Sequence, residues 1–337
     1  MNQQTITQIV KASGVRPGEQ ILVHFWGEDD LLFYAHQFVA AVAAAGASPV
    51  LLQQSRAANR MLFSAAADAA FDEHYFSQFD RYDAILDLFA QRPVVLGEPL
   101  PAEATERYRS YMRQLFHKLM QCKRFVQIRL PTPANAEECG LPAEEFIRRM
   151  EAAYAIDYDR LLQDCTAAKE QAQRHAHVIL HTGAHCTLHF DLTDRQWQID
   201  AGDGDWPCGE IYIAPQESAT HGSVYFEELY IEDVGRFKQV TLEVEEGRAA
   251  RSDNAAVQRW LENLAAQADE NTLVCELGLG FNPGVTDLCG YTVLDEKSAG
   301  TFHIALGANH MFGGTNQAAM HLDLVGKGQI EYCISDC

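Results

Sequence analysis

The chain has 337 residues, 47% of them hydrophobic and 22% charged, which is ample for a sizeable core, divides more naturally into two domains than one, and excludes intrinsic disorder. Asp and Glu number 47 against 26 Lys and Arg, a formal net charge of -21, so nucleic acid or an anionic membrane is repelled over most of the surface. Surplus carboxylate either solvates a surface or gathers to hold divalent cations, and only the positions of the acids distinguish the two.

The N-terminal stretch MNQQTITQIVKASG lacks an apolar core of signal-peptide length, and the longest apolar stretches, such as Phe38 to Ala45, fall short of a membrane span. From Gln20 the run ILVHFW predicts a buried strand, DDLLFYAHQFVAAVAAAG an amphipathic helix stopped by Gly46, and SPVLL a second strand, together a β-α-β unit. No G-x-G-x-x-G follows the first strand, so no nucleotide is implied. YDAILDLFA and RFVQIRL predict further short buried strands, with a helix over Ala102 to Met120 between them. The first half is therefore expected to be an α/β domain with a parallel sheet.

A long helical stretch from Pro142 to about His175 follows. The texture then changes to alternating, turn-punctuated segments: VILHTGAHCTLHFDL, DRQWQIDAGDGDWPCGEIYIAP, GSVYFEELYIEDVG and QVTLEVEEGRAAR. These predict antiparallel strands, joined by one more amphipathic helix over Asn254 to Ala268. The expected division is an α/β domain over residues 1–176, covering a cleft, and an α+β domain over 177–337, mainly of antiparallel strands and carrying the chemistry. The nine cysteines, Cys122, Cys139, Cys165, Cys186, Cys208, Cys275, Cys289, Cys333 and Cys337, are odd in number and contain no C-x-x-C, which fits reduced thiols in a cytoplasm.

His177, His181, His185 and His189 recur every fourth position, a metal-binding ladder if the segment were helical. The flanking Val178, Ile179, Thr182, Thr187 and Phe190 favour strand, which spreads the four along one face and prevents convergence. Five later residues make a better set. Glu210 stands at the start of an apolar strand after the Pro207 and Gly209 turn; Glu276 precedes G-F-N-P-G; His303 interrupts the apolar T-F-H-I-A-L-G; and His321 and Asp323 share one side of a strand in H-L-D. Singly, each is ordinarily a hydrogen-bonded core residue or a turn cap. Together, five ionisable groups in apolar contexts cost several kcal/mol each to desolvate unless paired or metallated. Three carboxylates and two imidazoles suit zinc, manganese, cobalt or iron(II), and outnumber what one tetrahedral ion needs, so the set predicts two divalent metal ions. Cys208, His221 and Trp206 are assigned to turns and core, outside the metal shell.

These blocks resemble the aminopeptidase T and aminopeptidase S family of dinuclear metallo-aminopeptidases, through P-C-G-E-I-Y-I-A-P, H-G-S-V-Y-F-E, E-L-G-L-G-F-N-P-G, D-E-K-S-A-G-T-F-H-I-A-L-G and H-L-D. The resemblance spans roughly residues 200 to 325, and the N-terminal half shares only its α/β texture. It implies Glu210, Glu276, His303, His321 and Asp323 as metal ligands with Glu276 the bridge, Glu296 as a functional acid, a small peptide or amide substrate, and a homodimer. The chain is shorter than typical members. His310 stands where the family places a catalytic tyrosine, seven residues after the histidine of H-I-A-L-G, and with Glu296 is a candidate for handling the proton passed to the leaving amine.

The scaffold also resembles the 2,5-dihydroxypyridine dioxygenases, mononuclear iron enzymes of closer chain length with W-P-S-G, G-G and H-L-D landmarks. Those enzymes carry apolar residues at the first glutamate and at the H-I-A-L-G histidine, and histidine where Glu276 stands. This chain keeps the hydrolase residues at all three. The expected activity is thus hydrolysis of a peptide or amide bond by metal-activated water. The alternatives are a mononuclear iron(II) ring-cleaving oxygenase using His321, Asp323 and Glu276, and a repurposed, non-peptidase member of a biosynthetic pathway.

Overall fold

Apolar runs without polar alternation need cover on both faces, and in one parallel sheet of four such runs the two central strands find it, while the outer two are partly exposed. In this computed structural model, which describes residues 1–333, the four are β1 (Gln20–Trp26), β2 (Ser48–Gln54), β3 (Ala84–Phe89) and β4 (Phe125–Arg129). They lie in the order β2-β1-β3-β4, every pair parallel. The helices Leu32–Ala44 and Ala102–Leu119 follow the predicted segments, and Phe63, Tyr108, Tyr111 and Leu115 build an aromatic-rich core against β1 and β3. Cys337 lies outside the described residues.

The expected long helical stretch is two helices, Ala143–Tyr154 and Tyr158–Ala172. Asp157 breaks it, its side chain accepting from the Arg160 N–H as the N-cap of the second helix. Contacts divide the chain at this break: Met1–Ala155 with Gly202–Pro207 form one compact unit, and Ile156–Ala201 with Cys208–Cys337 the other. The sequence reading has a single boundary near residue 176. The structure instead places the helix Tyr158–Ala172 in the second unit and returns residues 202–207 to the first, where β8 (Asp205–Trp206) pairs in parallel with β4. Trp206 is fully buried there, stacked on Tyr154.

The second unit contains two antiparallel sheets. The six-stranded one has the order β12-β11-β10-β6-β5-β16, comprising β5 (His177–Thr182), β6 (Cys186–Asp191), β10 (His221–Ile231), β11 (Gly235–Glu245), β12 (Arg248–Ser252) and β16 (Gln329–Tyr332). The strand reading of the histidine ladder holds, but the strand is not straight. Gly183, at φ +54°, turns β5 back into β6, so that His185 sits in the turn and His181 pairs with Glu331 at 2.7 Å. His189 stacks on His221, which belongs to β10 rather than to a turn.

The five-stranded sheet has the order β15-β14-β13-β9-β7, comprising β7 (Gln198–Asp200), β9 (Glu210–Ile213), β13 (Val274–Gly280), β14 (Thr301–Gly307) and β15 (His321–Lys327). Strands β13 and β14 are buried at nearly every position, so both faces are covered. Phe302 points toward the six-stranded sheet and meets Phe226, an approach that Gly326 permits because a Cβ there would overlap both rings. The opposite face carries the polar residues.

Candidate metal centre

Directly opposed residues of an antiparallel pair share a face, so the register reads out which side chains meet. Asp323 opposes Ala305, which opposes Glu276. His303 opposes Gly278, which opposes Tyr212, and Gly280 opposes Glu210, which opposes Asp200. His321 opposes Gly307. One face of the sheet thus presents Asp200, Glu210, Glu276, His303, His321 and Asp323 across its five strands, with glycine and alanine between them leaving room. The role of Gly278 is specific: a Cβ there would lie 2.0 Å from the His303 ring.

A bulge aims Glu276. Val274 opposes Leu306 while Glu276 opposes Ala305, so Cys275 is the extra residue and the chain after it is turned to the polar face. Asn309, fully buried, donates from Nδ2 to the Cys275 carbonyl at 3.2 Å and accepts at Oδ1 from the Asn316 N–H at 2.8 Å, pinning the bulge. On the other side Asn282, also fully buried, donates from Nδ2 to the Cys208 carbonyl at 2.8 Å, while its N–H donates to the Lys297 carbonyl at 2.7 Å. The predicted turn G-F-N-P-G therefore fixes both the approach to Glu210 and the segment bearing Glu296 and Lys297. Gly280 lets that segment close in, since a Cβ there would meet the Ser298 and Glu296 carbonyls.

Glu276 lies at the centre. Its Oε1 is 3.1 Å from His303 Nε2 and its Oε2 is 3.3 Å from His321 Nε2. His303 Nε2 is also 3.5 Å from Glu210 Oε2, and His321 Nε2 is 3.4 Å from Asp323 Oδ1. Five of the residues marked in the sequence are therefore brought together. Glu296 joins them through Lys297, whose Nζ is 3.0 Å from Glu296 Oε1, 2.5 Å from Glu210 Oε1 and 3.9 Å from Asp200 Oδ2. His310 is not part of this set. It is exposed in the short turn His310–Phe312, with Nδ1 against the Asn316 carbonyl at 3.2 Å.

Electrostatics match an arrangement designed around positive charge. Burial opposes ionisation of Glu276, yet hydrogen bonds from His303 and His321 outweigh it and hold this carboxyl below its usual range. Burial also disfavours charge on His303, but its bond to Glu276 and the carboxylates of Glu210 and Asp323 raise it to about 9. His321 is raised in the same way by Asp323 and Glu276. For Asp323, burial is overcome by His321, which brings it down to about 2. Glu210 and Glu296 go the other way: burial dominates, raising Glu210 and taking Glu296 to about 8.

The donor set fits divalent metal. Glu276, His321 and Asp323 each offer a ligand atom within 4.8 Å of the others. Glu210 Oε2 is buried without a hydrogen bond, 3.5 Å from His303 Nε2, which is costly for a polar atom unless an ion completes the site. The Ala308 carbonyl accepts from His321 Nδ1 at 2.8 Å, which fixes the ring so that Nε2 faces Glu276 and Asp323; that nitrogen donates to them in the ion-free site and would give up its proton to a metal.

Sequence reasoning missed Lys297, Asp200, Tyr212 and the two asparagines. Register alone would expose Asp200 and Tyr212, once β7 and β9 are paired. Nothing in D-E-K-S distinguishes a buried lysine from a solvated one. Cys208 is buried with its thiol pushed well up by desolvation, the inert turn residue expected.

The fold is shared with solved structures. AmpT from Thermus thermophilus superimposes with a TM-score of 0.69 at 15% identity, over 98% of this chain and 98% of that one. The 2,5-dihydroxypyridine dioxygenase from Pseudomonas putida KT2440 superimposes with a TM-score of 0.66 at 15% identity, over 98% of this chain and 93% of that one. No curated protein matches the chain significantly. In sequence, residues 7–331 match the thermophilic metalloprotease family, M29, a span that takes in the parallel sheet and the whole acid-histidine face. With the match running nearly from end to end and a divalent-metal donor set at its centre, the chain belongs to the M29 metalloproteases and is a metal-dependent peptide hydrolase.

Proposed function

We propose that the chain is an aminopeptidase-like hydrolase that releases the N-terminal residue of a small peptide or related amide, using two divalent ions of zinc, cobalt or manganese. The observation that carries this reading is the position of Glu276, whose two oxygens face two different imidazoles, so that this carboxylate would be shared if each imidazole held an ion. Glu276, His321 and Asp323 would hold one ion; Glu276, Glu210 and His303 would hold the other. Two such ions supply a Lewis acid for the scissile carbonyl and a water acidified enough to attack it at neutral pH.

The chain's own groups do the rest. The Ala308 carbonyl and Glu276 orient His321, while Gly278 leaves space for the His303 ring. Glu296, its pKa raised by burial, is the group placed to hold and pass a proton to the departing amine, a role that His310 in its exposed turn is less well placed to fill. Tyr212 faces the same space, and burial together with Glu210 and Glu276 keeps its phenol neutral, a hydrogen-bond donor to substrate oxygen. None of the eight cysteines among the described residues is in a disulfide, which accords with a reducing, cytoplasmic setting, and no helix among those residues is long and apolar enough to cross a membrane. We further propose a homodimer, as in the peptidases that the motifs resemble.

A second reading has its own observation: Glu276, His321 and Asp323 alone form a three-donor group of the kind that serves a mononuclear iron(II) oxygenase, on a fold shared with one. Metal analysis with activity assays separates the two. The hydrolase reading expects two ions per chain, a fall to one in Glu210→Ala, and anaerobic cleavage of an aminoacyl arylamide. One iron per chain with oxygen consumption and no cleavage would replace it by the oxygenase.

A further inference from the structure

Lys297 is 3% exposed, and its ammonium lies between Glu210 and Glu296 at 2.5 and 3.0 Å, with Asp200 at 3.9 Å. A buried lysine is retained only where its charge is compensated, and here the acidic side chains of Glu210, Glu296 and Asp200 surround it. The two halves of the centre are consequently unlike. Glu276, His321 and Asp323 have only imidazole protons among them, which an incoming metal releases. Glu210 shares its Oε1 with a fixed positive side chain held in place by the Asn282 bond to the Lys297 carbonyl.

We propose that Lys297 is a built-in cation that makes the centre unequal: the half formed by Glu276, His321 and Asp323 binds its ion tightly, while Lys297 weakens the half containing Glu210 and His303 so that the second ion exchanges. The inference rests on the two-ion reading and deepens it. A unit positive charge a few ångströms from a divalent ion, in a buried site, is strongly repulsive. It also takes up one of the lone pairs that Glu210 would otherwise offer. Lys297 is in this sense a positioning residue, acting on the ion through Glu210 and Glu296.

The test is Mn2+ titration of chelator-stripped protein, followed by calorimetry and by metal analysis after dialysis, in wild type, Lys297→Met and Lys297→Arg. Wild type is expected to bind in two separated steps. In Lys297→Met the weaker step tightens by about tenfold or more while the tight step, whose Asp323 the lysine also reaches at longer range, tightens by a clearly smaller factor, so that the separation narrows; Lys297→Arg, which keeps the charge, retains the wide separation. A wild type that takes one ion and a methionine variant that takes two would also support Lys297 as the cause, while removing the two-ion reading of the native enzyme. Two wild-type steps unchanged or weakened in Lys297→Met overturn the role of Lys297 and leave the two-ion reading standing. One ion in both proteins overturns both. Should the methionine variant not fold, wild type labelled at lysine Cε answers by NMR: the Lys297 signal is expected to move with the second equivalent of Zn2+, and a signal that moves only with the first, or not at all, overturns the proposal.

Discussion

Gly278 makes a contribution that no donor atom can. Its missing side chain is the space occupied by the His303 imidazole, so Gly278→Ala displaces the ring that contacts both Glu276 and Glu210. Hydrolysis is expected to fall at least about a hundredfold, because misplacing a reacting group by an ångström has that scale of effect. Kinetics on the refolded variant, with circular dichroism to establish its fold, check this, and near-normal activity would remove His303 from the centre. The raised groups supply a second expectation. In ion-free protein His303 titrates at about 9 rather than 6.5, and Glu296 at about 8 rather than 4.5. The native state therefore holds more protons than the unfolded chain across this range. Their stabilising effect is present in the acid part of the window and is lost as pH rises through 8 and 9. Urea unfolding of chelated protein at pH 6.5 and 9.5 should differ by on the order of 3 kcal/mol, the more stable being the acid sample, whereas metal-loaded protein should change less. No difference in the chelated protein would contradict the crowded, proton-hungry site. The five acid and imidazole side chains that meet on this face could be marked in the sequence, since each interrupts an apolar run. Lys297 could not, since its burial comes from a turn folding over another strand.

Among the elements, the turn after β13 carries unusual responsibility. Asn282 ties the residues before Glu210 to the segment of Lys297, so Asn282→Ala leaves two anchored segments without their common link. A stability loss of about 1–3 kcal/mol is expected, with a larger fall in activity than in stability alone. A denaturation curve superimposing on wild type would show the link to be dispensable. Asn309 plays the corresponding part for the bulge at Cys275. The strands themselves could be read from periodicity, and both flanking turns from glycine, proline and asparagine. The bulge could not, as it depends on pairing between residues distant in the chain. Likewise, the histidine ladder gave the correct element type and the wrong path: local propensity favours strand, but the reversal at Gly183 is what carries His189 away to meet His221.

For the whole molecule, ions and net charge dominate the expectations. Chelation should lower the melting temperature by about 5 °C or more, restored by Zn2+ or Mn2+, because ligand binding to the native state alone adds stability. Scanning calorimetry with and without EDTA measures it, and coincident transitions would speak against a resident ion. With a formal net charge of -21, cationic peptides should be cleaved with higher kcat/KM than acidic ones of equal length, the gap narrowing as salt rises. A salt-independent preference would place the selectivity in local contacts. The parallel-then-antiparallel order was evident from composition along the chain. The return of residues 202–207 to the first unit was hidden, because a two-residue strand leaves no periodic trace.

The five-stranded sheet keeps its reactive side chains on one surface and its packing residues, Phe302 among them, on the reverse. Such a division decouples catalysis from cohesion. A side chain on the polar surface can be exchanged singly without reopening the interior, so one framework can carry unlike chemistries.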